Sequence, residues 1–572
     1  MFKANWQKKG LLLGAAIAAM LLVAAACGGG AEPTPTSAPT ATSAPVATPT
    51  ATKVPPSPTP TPKFQPKKGG SLRFAQTSDP VTFDVHASSL SLLTNHTHLT
   101  HSRVLRYESL GWPEEANYGA LTVTGDAAEK WEISQDGKTF TFHLRPGIKW
   151  PNVAPLNGRE LTSEDAKKAF ERILNEPKSI FKEFYEEITS MSTPDKYTLV
   201  MTIDKPLASW LYRVADGEAA WITAQDFIDA KGKDYGVRQD SLVGTGPFLI
   251  KSEETGSRYI YTRNPNYFLP NLPYVDEVVW LIIKDASARE AAFVSGQIDA
   301  LGASRTSVPR IQKALPKAAL DSNPGLSNTA SGIMFNMTNP KWQDIRVRQA
   351  IQKGIDQGRI IADLYGGQGR YQGCMPTALS SFALSQDELK ALYTYDPEGA
   401  KALLAAAGLS SGLTFEMTTF TGYQQRLLDI AELAQDDLKK IGVTVNLKPV
   451  PVASGRPAVE AGNFETVIQP HSTGVEPDEM IGGFTTGGGR NFMRVTDPKV
   501  DAWNLQQTVE FDVKKRAAIT KEFSRYCAQQ VVGLIPMPNE ASFSFTQEWV
   551  KNFPISDVAS DEPRELFAWV EK

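Results

Sequence analysis

His96, His98 and His101 stand within six residues of one another. Neutral imidazoles are good ligands for nickel, copper or zinc, so this cluster raises metal chemistry first. In a helix His98 and His101 share a face, whereas His96 does not sit on it. The spacing predicts a packed helix with partly exposed histidines, and these three are the weak candidates should a metal bind. Two further patterns fail on context. Gly408-Leu409-Ser410-Ser411-Gly412 matches G-x-S-x-G, but a nucleophile elbow needs strand, sharp turn and helix in that order. Here a helix precedes and a strand follows. Gly366, Gly367, Gly369 and Gly373 also follow a helix, so they do not form a phosphate loop at a helix start. H-E-x-x-H and C-x-x-C do not occur. Paired carboxylates have no spacing rule, which keeps a secreted hydrolase as a distant alternative. These patterns supply no candidate catalytic residue and call for no cofactor.

Cys27 is the residue with a definite chemical context. Lys3, Lys8 and Lys9 make a basic start, and Gly10 to Ala26 is small, apolar and uncharged. The run ends in Leu22-Val23-Ala24-Ala25-Ala26-Cys27, which resembles the lipobox of bacterial lipoproteins, with Ala24 where Leu is usual. The resemblance implies export, cleavage before Cys27 and acylation of its sulfur. About 17 apolar residues are the short edge of a membrane span, so a signal peptide over 1–26 fits better than an uncleaved anchor. Residues 27–63 then read as a tether. Ala31 to Pro62 is almost wholly Ala, Thr, Pro and Ser, with only Glu32 and Lys53 charged. Such a segment has nothing to bury, and its prolines bias it to extended polyproline II.

Composition bounds the rest. The chain carries 59 basic and 63 acidic residues, without a Lys/Arg-rich run, so nothing suggests nucleic acid. About 510 residues after the tether are too many for one core, so two or three lobes are expected. Beyond Cys27 the cysteines are Cys374 and Cys527, which could pair outside the cytoplasm or remain two buried thiols. No apolar run of membrane-spanning length follows residue 63.

The elements that must position any site follow from periodicity. Ser71 to Ala75 is a short strand after the Gly69-Gly70 turn. Lys130 to Ser134 and Lys138 to Leu144 flank Gln135-Asp136-Gly137 as a hairpin, with Phe140, Phe142 and Leu144 on one face. Thr162 to Ile173 is a helix with Thr162 and Asp165 at capping-box spacing. Strands are predicted over 199–203, 259–263 and 277–283, and Asp285 opens a helix through Val294. The second half alternates strand and helix. A strand over 332–337 precedes one long helix, which Asp344 caps and which runs through Leu364. Asp396-Pro397 opens another helix that Gly408 closes. Leu413 to Thr419, Leu427 to Lys440 and Val443 to Leu447 make a strand–helix–strand unit, which implies a parallel pair. The fold class is α/β, with a more β-rich first half.

The ordered tags along the body resemble extracellular solute-binding proteins of the family 5 type, the oligopeptide, dipeptide and nickel-binding class that serves bacterial ABC importers. They begin with Gly69-Gly70-Ser71-Leu72-Arg73, Asp79-Pro80, Phe83-Asp84 and Tyr107-Glu108-Ser109-Leu110. The most specific are Ala128-Glu129-Lys130-Trp131, Asp136 to Phe142, and Leu144-Arg145-Pro146-Gly147-Ile148-Lys149-Trp150. Gly244-Thr245-Gly246-Pro247-Phe248, Arg263-Asn264-Pro265-Asn266-Tyr267, Gly296 to Asp299, Val347 to Ala350 and Tyr395-Asp396-Pro397 continue the series. The resemblance implies a periplasmic-binding-protein-like fold, class II or cluster C type, of two halves and three lobes. Domain I would be 64–110, 233–325 and 543–572, domain II 111–232 inserted into it, and domain III 326–542. Ligand would bind between I and III, and Gly244, Thr245 and Gly246 would mark a hinge. A monomeric, membrane-tethered protein would hand a solute to the permease subunits of an importer.

The ligand is read from departures. Peptide-binding members of the family place an Asp four residues before a Pro, just after a domain III strand, to pair the peptide amine. Counting back from Pro477 gives Thr473, whose hydroxyl can hydrogen-bond but cannot neutralise an ammonium. Glu476 is nearby. A peptide or peptide-like solute stays the leading expectation, with an oligosaccharide or a metal chelate of the nickel type as alternatives. Other candidate contacts are Thr77 and Ser78 after the first strand, His471 in the cleft loop, and Asn491 after Gly487-Gly488-Gly489-Arg490. Among aromatics they are Trp112, Trp150, Phe420 and Tyr423.

Overall fold

The computed structural model describes residues 66–107, 123–323, 329–421, 424–473, 476–553 and 564–572. Cys27, the signal region, the tether, Trp112 and Tyr423 lie outside the described residues. All described residues belong to one compact unit. No helix among them is long and apolar enough to cross a membrane.

Three core regions organise the body. In the first, strand Ser71–Gln76 alternates so that Leu72, Phe74 and Gln76 point inward. It pairs parallel with Glu277–Ile282, which continues antiparallel into Arg258–Arg263 and Phe248–Glu254. Helix Ser91–Thr100 packs on this sheet. A three-stranded sheet of Ala300–Ala303, Ser542–Thr546 and Ala319–Asn323 adjoins it. The second region is an antiparallel sheet ordered Ala128–Ile133, Thr139–Leu144, Thr198–Ile203, Ile188–Asp195. Phe140, Phe142 and Leu144 all face its core, as the hairpin pattern requires. Helix Ser163–Asn175 covers it, and the Asp165 carboxylate accepts the Thr162 N–H at 2.9 Å, closing the expected cap.

The third region is a five-stranded mixed sheet ordered Val443–Pro451, Leu413–Thr421, Thr466–Thr473, Thr329–Phe335, Leu534–Met537. Leu413–Thr421 runs parallel to both Val443–Pro451 and Thr466–Thr473. The sheet is covered on both faces, so its inner strands bury both sides, whereas the edge strand Val443–Pro451 alternates buried and exposed residues. Ile333 belongs to one apolar cluster and its neighbour Met334 to the other. Cys374 and Cys527 form a disulfide inside the second of these clusters, which settles the pairing. The single long helix expected from Asp344 is two, Ile345–Gly354 and Gln357–Tyr365. The Asp356 side chain accepts the Arg359 N–H and restarts the helix there.

The chain passes from the first region to the third between Ala319–Asn323 and Thr329–Phe335, and returns between Leu534–Met537 and Ser542–Thr546. The second region returns to the first through Gly244-Thr245-Gly246-Pro247. Both glycines lie flush on the end of the Ser91–Thr100 helix. A Cβ on Gly244 would stand 2.3 Å from the Thr100 carbonyl oxygen, and one on Gly246 would stand 2.5 Å from the Thr100 carbonyl carbon. Gly246 N–H donates to Thr100 O at 2.9 Å, and Asn264 Nδ2 donates to Gly246 O at 2.8 Å. Two separate sequence tags thus meet at one joint.

Candidate functional site

Because Leu413–Thr421 and Thr466–Thr473 are parallel, their carboxyl ends bring Phe420 and His471 to the same edge of the third sheet. Open α/β sheets bind ligands at such ends. Phe420 is 8% exposed and packs against Gly455, where a Cβ would meet the ring at 2.7 Å. The His471 ring meets Phe484 edge-on at 5.9 Å. Thr473 closes the strand opposite Thr329. Thr77 is exposed beyond the first strand, where Ser78 Oγ donates to Asp79 O at 3.2 Å.

Two candidates are otherwise engaged. Trp150, offered as a cleft aromatic, is 1% exposed in the core of the second region. The Arg159 guanidinium lies 5.5 Å from its ring, so it packs there rather than facing a cleft. Asn491 spends its amide on its own loop, donating to Thr485 O and Val495 O at 2.8 Å each and accepting Val495 N–H at 3.0 Å.

The histidines correct their expectation of partial exposure, because all three are buried and each ring has a different partner. Tyr261 Oη lies 2.6 Å from His96 Nδ1, Glu565 Oε2 lies 3.2 Å from His98 Nε2, and Thr100 Oγ1 lies 2.9 Å from His101 Nδ1. Burial pushes His96 and His101 down to about 3. Among the described residues no group of three or more His, Cys, Asp or Glu is placed to hold a metal. A cavity of about 190 Å³ opens beside Phe74, His98, Trp280 and Glu565, and none of the strand-end candidates lines it.

The sequence reading missed a charged junction just past Thr473. Glu476 is the N-cap of helix Pro477–Gly482, whose first turn carries Asp478 and Glu479, the end of a helix that favours negative charge. Arg516 Nη2 donates to Glu476 Oε2, with both side chains buried. Asp478 Oδ2 accepts Ser209 Oγ at 2.8 Å and Arg213 Nη2 at 3.3 Å, and both donors belong to the second region. Arg213 also holds Glu187 and the Phe184 carbonyl, each at 3.0 Å. Ala208 N–H donates to Thr508 O at 2.7 Å, a second bond between the two regions. Burial, then the nearby carboxylates, outweigh Arg213 and push Glu479 up to about 8. Burial pushes Glu476 up to about 7 against the pull of Arg516. The Glu-Pro-Asp-Glu run was visible in the sequence, but the partners of Asp478 stand more than 250 positions away.

The profile described as bacterial extracellular solute-binding proteins, family 5 middle, matches residues 122–492. A dipeptide-binding protein of Escherichia coli (strain K12) is 29% identical over 396 residues, 66% of this chain and 72% of the relative. Heme-binding protein A of Haemophilus influenzae is 26% identical over 472 residues, 78% of this chain and 84% of the relative. HbpA2 from Haemophilus parasuis superimposes with a TM-score of 0.77 at 23% identity, over 88% of this chain and 100% of that one. The unliganded open form of the murein tripeptide-binding protein MppA gives 0.73 at 20% identity, over 88% and 97%. The fold is therefore that of the periplasmic binding proteins.

Proposed function

Since the chain belongs to the bacterial extracellular solute-binding proteins of family 5, we propose that it captures a peptide or peptide-like solute outside the cytoplasm and delivers it to the permease of an ABC importer. The observation that carries this reading is the family match over residues 122–492, joined to relatives named for dipeptide binding. The three core regions are read as the three lobes, with the first and third facing each other across the cleft. Thr77 and Ser78 on one side and Phe420, His471 and Thr473 on the other are the proposed contacts, and the sequence adds Tyr423 to them. Gly244, Thr245 and Gly246 are the proposed pivot between the inserted lobe and the first. Closure captures the solute because the closed form binds it better than the open one. The protein changes its solute's location and not its bonds. Cys27 carries the lipid that keeps this trap near its permease.

One observation favours a second reading of the ligand. Thr473 offers a hydroxyl where peptide binders of the family carry a carboxylate, which suits a solute whose amine is blocked or lacking. Native mass spectrometry of the purified protein, followed by melting with dipeptides and their N-acetyl forms, decides between the two. A free-amine peptide that raises the melting temperature and loses that effect on acetylation supports peptide capture. Equal stabilisation by both forms moves the assignment to an amine-free solute. Conversion of the solute by the protein would remove the transport reading. Cys27→Ala should move the protein from the membrane to the soluble fraction, and unchanged fractionation would refute acylation at that cysteine.

A further inference from the structure

The cavity of about 190 Å³ in the first region shares no residue with the proposed capture contacts. Three rings build one side of it. Trp280 and Phe553 flank Phe74, with ring centroids 5.1 Å and 5.2 Å away, and the Phe74 and Phe553 rings stack at 25°. The register of the first sheet fixes two of the rings, because Phe74 and Trp280 are partners on neighbouring parallel strands. Rings held in this way offer flat apolar area to another ring at small entropic cost.

Two polar atoms are left over among the residues of this wall. Trp280 Nε1 and His98 Nδ1 are buried without a hydrogen-bond partner among the described residues. His98 comes from the Ser91–Thr100 helix, and its Nε2 faces Glu565 Oε2 at 3.2 Å. An ionised carboxylate only accepts, so Nε2 carries the hydrogen, and Nδ1 of the neutral ring is an acceptor. The indole N–H can only donate. A buried donor and a buried acceptor that stay unmet cost free energy, which a molecule carrying the matching pair recovers. Glu565 and Arg564 bring one charge of each sign to the wall, which favours a neutral occupant. A cavity of about 150 Å³ suffices for benzene, so this one admits a single ring with short polar substituents. Gly302 on the same wall is exposed, and a Cβ there would meet no atom of the described residues within 4 Å, which leaves an edge open for entry.

We propose that this cavity is a second ligand site, for a neutral single-ring heterocycle that lies against Phe74, Trp280 and Phe553. The ligand accepts a hydrogen bond from Trp280 Nε1–H and donates one to His98 Nδ1. Because Thr77, Phe420 and His471 take no part in it, the site holds its ligand whether or not the capture cleft is occupied.

Calorimetric titration of the full-length protein with 2-pyridone, which carries one N–H and one carbonyl on a single ring, tests this. Saturable binding is expected. 1-Methyl-2-pyridone keeps the ring and the carbonyl but lacks the donor, and should bind about tenfold more weakly, the effect of losing one buried hydrogen bond. Trp280→Phe keeps a ring but removes the protein's donor, and should weaken 2-pyridone by about the same factor. A crystal soaked with 2-pyridone should show its ring against Phe74. Absence of saturable binding, equal affinity for the two pyridones, or water alone in the soaked cavity overturns the site. Unchanged affinity in Trp280→Phe does so as well. If that variant fails to fold, the two pyridones compared on the wild type decide the matter.

Discussion

Three histidines of the first region, His86, His96 and His101, are buried in a way that fixes their protons. Arg172 can only donate, so His86 Nδ1, 2.8 Å from its Nη1, is an acceptor, and His86 Nε2–H donates to Trp221 O at 3.1 Å. Burial first and Arg172 second push His86 down to about 3. At His96, Gln239 donates to Tyr261 Oη and the tyrosine passes its own hydrogen to Nδ1. The unfolded chain gains protons at these sites below about 6.5 while the folded protein does not. Stability should therefore decline from about pH 6.5 toward 3, and His96→Gln should make the urea midpoint less sensitive to acid over that range. An equal slope in both proteins would contradict this account. His98 Nε2 lies against the Glu565 carboxylate. His98→Ala leaves Glu565 buried without its partner and should cost about 3 kcal/mol in urea unfolding. The sequence showed the cluster but not the partners, because Tyr261 and Glu565 come from distant positions.

At the scale of elements, local chemistry was the legible part. The Gln135-Asp136-Gly137 hairpin, the Thr162 cap and the strand–helix–strand unit over 413–447 depend on neighbours along the chain, and each formed where expected. The break at Asp356 was hidden, since the periodicity of the two helices runs on through it. Pairings such as Ser71–Gln76 with Glu277–Ile282 depend on the burial of a whole sheet, which no local window contains. The Gly244 and Gly246 joint combines both kinds. The tag was plain, but its reason, close approach to Thr100 and His101, is tertiary. Gly246→Ala would set a methyl 2.7 Å from His101 N as well as 2.5 Å from Thr100 C. Backbone atoms cannot swing aside, so thermal unfolding should show a loss of about 2–3 kcal/mol. A loss below about 0.5 kcal/mol would mean that the joint yields.

For the whole molecule, the disulfide and the paths between regions matter most. Cys374 and Cys527 close a loop with a sequence separation of 153, inside an apolar cluster of the third region. In the chain-entropy account, removing such a link costs about 4–5 kcal/mol. The double change Cys374→Ser and Cys527→Ser should lower the melting temperature, and reductant should leave that variant unaffected while destabilising the wild type. The sequence could name both cysteines but not join them, because only the assembled sheet brings their Cα atoms to 6.4 Å. The strand-end candidates divide the same way. Phe420 and His471 were placed by local strand logic, whereas the junction at Asp478 exists only once two regions of the chain are side by side.

The chain crosses between the first and third regions twice, once after Ala319–Asn323 and once before Ser542–Thr546, and these two strands lie in the same sheet. A body hung from one strand of chain can swivel and twist; a body hung from two neighbouring strands moves like a door on two pins. In the trap we propose, its swing is confined to one axis, and each return brings the same residues opposite each other. The trap we propose thus needs no search over orientations when it shuts, and a mutation that cut or lengthened one crossing would loosen its aim before it weakened its grip.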